Sequence, residues 1–258
     1  MRLPDDAAVF DAHFHIVDPA FPLIPNNGYL PDAFTADDYL QRTRRLRITG
    51  GTVVSGSFQG TDQSYLTAAL ERLGAGFVGV TQLTTDVTDD EITRLDAAGV
   101  RAVRFNLYRG ATIDLSDMEQ FARRVHDVAG WHSELYVDAA DLPELESTLR
   151  RLPQASVDHL GMSDDTTGTL LSLVEAGLVV KATGFGRMSV SDPDALMATI
   201  DRANPHALIF GSDLPSTRAR VPFADSDLDR VRAAVGDDRA RAVLTENARR
   251  LYRVTDAS

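Results

Sequence analysis

The 258-residue chain is 43% hydrophobic and 25% charged, the make-up of a globular protein and not of a disordered, collagen-like or coiled-coil one. Its 38 acidic and 26 basic residues leave a net charge of −12, which argues against a nucleic-acid binder and allows only a local basic pocket for an anionic small molecule. With no cysteine, disulfides, thiolate metal sites, iron–sulfur clusters and a cysteine nucleophile are excluded.

The acidic start Met1-Arg2-Leu3-Pro4-Asp5-Asp6 runs straight into an apolar strand over Val9–His15, so no signal peptide is expected. No apolar run nears the roughly 18 residues of a membrane span, and the expectation is a soluble, cytoplasmic protein. A long loop, Ile16–Pro31, follows with four prolines and two asparagines. Thr35 caps a helix running to Arg47, and a β-branched strand covers Thr52–Phe58. The alternation continues with a helix over Gln63–Leu73, a strand over Gly76–Leu83 and a helix over Asp89–Ala98 stopped by Gly99. Next come a strand over Val100–Asn106, a helix over Ser116–Ala129 stopped by Gly130, and a strand over Glu134–Asp138. Helices over Leu142–Leu152 and Asp164–Ala176 flank a strand over Ala155–His159. Strands over Leu178–Lys181 and Ala207–Gly211 flank a helix over Pro193–Ala203, and helices over Ser226–Val235 and Arg239–Leu251 finish the chain. The caps and stop glycines fall where helix ends belong. Eight strands alternating with helices in a chain of this length predict an α/β fold, a distorted (β/α)₈ TIM barrel forming one domain over residues 1–258. The alternative, an open doubly wound sheet, lacks a Gly-x-Gly-x-x-Gly after the first strand.

In such a barrel the chemistry sits where strands end. His13 and His15, one residue apart, share a strand face. Two imidazoles aimed at one point can hold a divalent cation or polarise a carbonyl, although a lone His-x-His can also be packing. Asp213 ends the eighth strand, which closes against the first, and is a candidate ligand or general base; a turn aspartate is the plainer alternative. His159 ends the sixth strand, where a loop histidine is equally ordinary. Coincidence at all three strand ends is much harder to credit. Arg104, Arg109, Arg187 and Arg218 fall on strand ends or loops at the same rim, and their planar forks suit carboxylates. Surface solvation is the alternative for each. His126, His132 and His206 read as structural.

Phe10-Asp11-Ala12-His13-Phe14-His15, Val157-Asp158-His159-Leu160-Gly161 and Phe210-Gly211-Ser212-Asp213-Leu214-Pro215 resemble three signatures of the amidohydrolase superfamily. The resemblance is narrower still to its amidohydrolase-related branch, which holds 2-pyrone-4,6-dicarboxylate lactonase and sugar-lactone hydrolases. Gly99–Asn106, Trp131-His132 and Asn247-Ala248-Arg249-Arg250-Leu251-Tyr252 extend it over nearly the whole chain. It implies the barrel and hydrolase chemistry on a lactone or related ester. Arg104, Arg109, Arg187 and Tyr29 match substrate-contacting positions of the lactonase. The fifth strand lacks the histidine of two-metal members, and nothing in the sequence makes Lys181 a carbamylated bridge between metals. His13, His15, His159 and Asp213 suffice for one divalent cation, zinc by donor type. The lactonase of this branch is itself understood to work without metal, so both possibilities stand. The expected activity is hydrolysis of an anionic small molecule with Asp213 as general base. A metal-dependent decarboxylase and a non-catalytic barrel binding an anionic metabolite are the alternatives. Oligomeric state is open.

Overall fold

A computed structural model describes residues 8–108 and 113–255. Eight parallel strands stand in chain order around one sheet. They are β1 (Val9–Phe14), β2 (Ile48–Val54), β3 (Phe77–Thr81), β4 (Val100–Asn106), β5 (His132–Tyr136), β6 (Ala155–Val157), β7 (Val179–Ala182) and β8 (Leu208–Phe210). Helices α1 (Ala36–Thr43), α2 (Ser64–Leu73), α3 (Asp89–Ala97), α4 (Leu115–Ala129), α5 (Leu142–Leu149), α6 (Thr167–Glu175) and α7 (Pro193–Ala203) link successive strands. Then come α8 (Ser226–Val235), α9 (Asp237–Arg241), a π-helical turn over Ala242–Glu246 and α10 (Asn247–Leu251). The expected (β/α)₈ barrel is therefore the fold. Among the described residues no helix is long and apolar enough to cross a membrane.

Local chemistry sets the helix ends. Thr35 accepts from the Asp38 amide while Asp38 returns a bond to the Thr35 amide, and Gly130 ends α4 with φ +67°, a left-handed turn glycine adopts at little cost. Some expected bounds move. The second strand runs Ile48–Val54 and leaves the sheet before Phe58, because Gln59 draws residues 56–59 into a tight turn. Its Oε1 accepts the Gly56 amide at 2.6 Å and its Nε2 donates to the Ile16 carbonyl at 2.5 Å. The fifth strand begins at His132, since Ala102 pairs with His132 across the sheet. The long C-terminal helix is broken by the π-helical turn.

Two cores result. One packs helices on the outside of the sheet. The other fills the barrel floor with Phe10, Ala12, Val78, Val80 and Ile209, plugged by Tyr252 from beyond α10.

The seam between β8 and β1 is tied by a buried carboxylate. Asp11 Oδ1 accepts the Ser212 amide at 2.7 Å, and Oδ2 accepts the Ser212 and Tyr39 hydroxyls at 2.6 and 3.0 Å. Burial pushes Asp11 up to about 6 against those hydrogen bonds. Asp11→Ala leaves four buried donors without an acceptor, these three and the His13 amide, and hydrogen bonds to charged groups are worth roughly 1.5–3 kcal/mol each but are not additive. The expected cost is about 3–5 kcal/mol in urea unfolding, and a loss below about 1 kcal/mol would refute the role assigned to Asp11.

Candidate functional site

The two histidines of β1 reach the barrel interior through an irregularity. Register with β2 shifts between Asp11 and Phe14. Phe10 and Ala12 belong to the inner core, yet Phe14 packs in the outer one. Strict alternation from Phe10 would have sent His13 and His15 outward; the bulge turns both inward. Gly211 makes room, since a methyl group there would lie 2.7 Å from His13 Cβ.

β8 delivers Asp213 in a left-handed conformation, φ +60°. Its amide donates to the His13 carbonyl at 2.7 Å, and the His15 amide donates to Leu214 O at 2.7 Å. β6 delivers His159 at the head of four consecutive left-handed residues, His159, Leu160, Gly161 and Met162. For a non-glycine residue that region costs about 1–2 kcal/mol, and such strain collects at functional sites. The run folds the His159 ring back to 5.0 Å from the His13 ring, and its Nδ1 meets Thr183 Oγ1 at 2.5 Å.

Asp213 Oδ1 therefore stands 3.8 Å from His13 Nε2 and 3.6 Å from His15 Nε2. His13 Nε2 and Asp213 Oδ1 are buried with no hydrogen-bond partner. His15 Nδ1 lies 2.7 Å from the Val54 carbonyl, which takes its proton and leaves the Nε2 lone pair facing Asp213. Two ring nitrogens and a carboxylate oxygen at these separations, with His13 Nε2 and Asp213 Oδ1 unpartnered, suit a divalent cation. A second grouping, His13 with Asp158 and His159, lies on the other side of the His13 ring.

Burial holds His13 well below the usual histidine range, and pushes His159 down to about 3, so both rings are neutral. Burial alone would raise Asp213, but the Arg187 guanidinium outweighs it and holds the carboxyl well below the usual range. Arg187 does this with two bonds to Oδ2, from Nε at 2.7 Å and Nη2 at 2.6 Å.

The expected arginines are placed differently from one another. Arg104 and Arg187 line the cleft above the histidines, but both are engaged. Arg104 bonds Asp158 Oδ2 at 2.6 Å and the Ser55 carbonyl at 2.8 Å. Arg187 adds the Thr217 carbonyl at 2.7 Å to its pair with Asp213. Arg218 also lines the cleft, stacked 4.3 Å over the Tyr29 ring, with Nη2 on Asn26 O at 2.5 Å. Tyr29 thus joins the cleft from the long first loop. Arg109 lies outside the described residues. His126, His132 and His206 stay out of this cleft's lining.

Sequence reasoning missed the charges beneath the histidines. Glu134, Asp158 and Lys181 are fully buried. Lys181 Nζ meets Glu134 Oε2 at 2.5 Å and His13 Nδ1 at 3.2 Å. Tyr252 donates to the same Glu134 oxygen at 3.1 Å. Burial pushes Glu134 up to about 7, opposed by Lys181 and Arg104. Burial would also raise Asp158, yet His13, Arg104 and Lys181 hold it low. The available signal was a charged residue inside each apolar strand run, since such residues are buried only when paired.

A family model described as an amidohydrolase matches residues 10–254. A 2-pyrone-4,6-dicarboxylate hydrolase of Comamonas testosteroni is 34% identical over 173 residues, 65% of this chain and 55% of that relative. The chain thus spans about half the length of that relative. A 4-sulfomuconolactone hydrolase of Hydrogenophaga intermedia is 25% identical over 94% of this chain and 88% of its own length. An apo crystal structure from Agrobacterium tumefaciens superposes with a TM-score of 0.85 at 22% identity, covering 99% of this chain and 100% of the other.

Proposed function

Because the chain belongs to the amidohydrolase family, we propose that it is a hydrolase opening the lactone ring of a small carboxylate-bearing molecule. The observation that carries this reading is the unpartnered Asp213 Oδ1 facing the imidazoles of His13 and His15. The names of the two curated relatives support the lactone as bond type.

In this mechanism Asp213 Oδ1 takes a proton from water as the water oxygen attacks the lactone carbonyl carbon. Arg187 anchors Oδ2, so the other oxygen stays directed at the histidines. His159 faces the carbonyl oxygen and the negative charge that develops on it, while the Nε2 atoms of His13 and His15, directed at Asp213, serve to hold a cation. The ring C–O bond then breaks, the departing oxygen takes the proton that Asp213 Oδ1 accepted, which restores the base, and the new carboxylic acid loses its proton to solvent. A single divalent cation, zinc for this donor set, would be held by His13, His15 and Asp213 and would supply Lewis-acid polarisation of the carbonyl when bound. Arg218 and Tyr29, with Arg104 and Arg187 behind them, form the cationic wall that would receive the substrate carboxylate.

A panel of lactones in weak buffer tests the reading. Carboxylate-bearing lactones are expected to release acid at least about 10-fold faster than neutral ones of the same ring size, the worth of one charge-assisted hydrogen bond. Carbon dioxide release instead would mark a decarboxylase, and no turnover of any member would leave a binding barrel. Metal analysis of protein purified without chelator is expected to find about one equivalent. Absence of metal together with an unchanged rate in chelator would remove the cation and leave His159 to act on the carbonyl directly.

A further inference from the structure

His13 has two faces. Nε2 looks into the site, where Asp213 and His15 converge. Nδ1 looks down into the buried charge cluster, where it lies 3.3 Å from Asp158 Oδ1, 3.6 Å from Glu134 Oε1 and 3.2 Å from Lys181 Nζ. For Nε2 to offer a lone pair to the site the ring's single proton must sit on Nδ1, and the neighbours of Nδ1 decide whether it does. Two arrangements compete. Lys181 could donate to Nδ1, which would put the proton on Nε2. Nδ1 could instead carry the proton and donate it to Asp158.

Counting unmet acceptors separates them. Asp158 Oδ1 and Glu134 Oε1 are both buried without a partner, and both border Nδ1. A Lys181 bond to Nδ1 leaves both carboxylate oxygens bare. A proton on Nδ1 satisfies Asp158, while Lys181 keeps its close contact with Glu134 Oε2 and stands 3.6 Å from Asp158 Oδ1. A buried anionic oxygen without a donor is the more costly defect. Asp158 is also braced for the task, since Arg104 fixes its other oxygen at 2.6 Å.

We propose that Asp158 is a positioning residue: its Oδ1 accepts the Nδ1–H of His13 and thereby turns the Nε2 lone pair toward Asp213 and His15. Lys181 and Arg104 hold that carboxylate in place, and Lys181 also offsets Glu134. A histidine that offers one nitrogen to a reaction centre commonly gives its other N–H to a carboxylate, which sets its tautomer and ring orientation. The consequence for turnover rests on the hydrolase reading above; the tautomer itself does not.

The test is ring nitrogen–proton correlation spectroscopy on full-length protein labelled with nitrogen-15 histidine. With six histidines in the chain, His13 is assigned by the signal that disappears in His13→Gln. Wild type is expected to show His13 protonated at Nδ1. In Asp158→Asn, whose amide no longer offers an anionic acceptor, Lys181 becomes the stronger partner and the proton is expected on Nε2. Turnover should fall about 10- to 100-fold, with KM moved far less. An Nε2-protonated His13 in wild type overturns the proposal and gives the role to Lys181, whether or not Asp158→Asn folds. An unchanged Nδ1–H with turnover within about threefold in folded Asp158→Asn overturns it too. If no lactone is turned over but the tautomers behave as expected, the positioning role survives and the hydrolase reading fails.

Discussion

Asp213→Asn is expected to lower turnover by about 10²–10⁴-fold, the usual cost of removing a general base. The side chain keeps its shape, and one amide oxygen remains for Arg187. What disappears is the basic oxygen that stands 3.6 Å from His15 Nε2 and 3.8 Å from His13 Nε2 with no partner of its own. The loss should fall on kcat more than on KM, because the group acts on water during the reaction and not on the resting substrate. Far-UV circular dichroism should match the parent. Retained activity within about tenfold would remove Asp213 from the chemistry. The parent should also hold its activity far into acid on this account. Burial tends to raise the Asp213 carboxyl, but Arg187 holds it below the usual range, so it stays ionised where an ordinary aspartate begins to protonate.

The second large effect belongs to Arg187. Its two bonds to Asp213 Oδ2 make it part of the base as well as of the substrate wall. Arg187→Met removes the main opposition to burial, so the Asp213 carboxyl rises and the acid limb of the pH–rate profile moves to higher pH. Losing one partner of a buried pair costs about 3–5 kcal/mol, and the pH dependence of that cost has a definite sign. Asp213 is lower in the folded state than in the unfolded chain. It therefore adds stability above about pH 4, where the unfolded aspartate has ionised, and this is lost as the pH falls through its folded value. The melting-temperature gap between parent and variant should narrow on acidification. Arg187→Lys keeps the charge without the fork, and is expected to lose roughly 10- to 150-fold in kcat/KM from about 1.5–3 kcal/mol. Neutral lactones should lose rate as well, because the anchored base serves every substrate. An acid limb that stays put in Arg187→Met would separate Arg187 from Asp213 and leave it a binding residue alone. Arg218, stacked on Tyr29 at the rim, is the position where substitution should discriminate anionic from neutral substrates.

Much of this was legible without coordinates. Strand and helix periodicities alternate eight times, and each period is set by neighbours within a few residues, so the barrel and the strand-end positions of His13, His15, His159 and Asp213 follow from local pattern. Element bounds were less secure. The departure of β2 from the sheet at Val54 depends on Gln59 reaching the Ile16 carbonyl, 43 positions away.

Tertiary structure alone decided three things. Strand alternation puts His13 and His15 inside, but it does not show the slip in β1 register that lets them share the interior with Phe10 and Ala12; a bulge is settled by pairing with β2, not by the strand's own sequence. The partners of the arginines were likewise hidden. Arg104 finds Asp158 across 54 positions and Arg187 finds Asp213 across 26, so residues that read as open forks are tied to carboxylates of the same chain. Lys181, Glu134 and Asp158 looked like isolated charges in three separate strands. They form one network because closing the barrel brings β5, β6 and β7 side by side around a shared interior. A charge can stay buried only beside its counter-charge, and which strands meet inside is a property of the closed sheet and of no single segment.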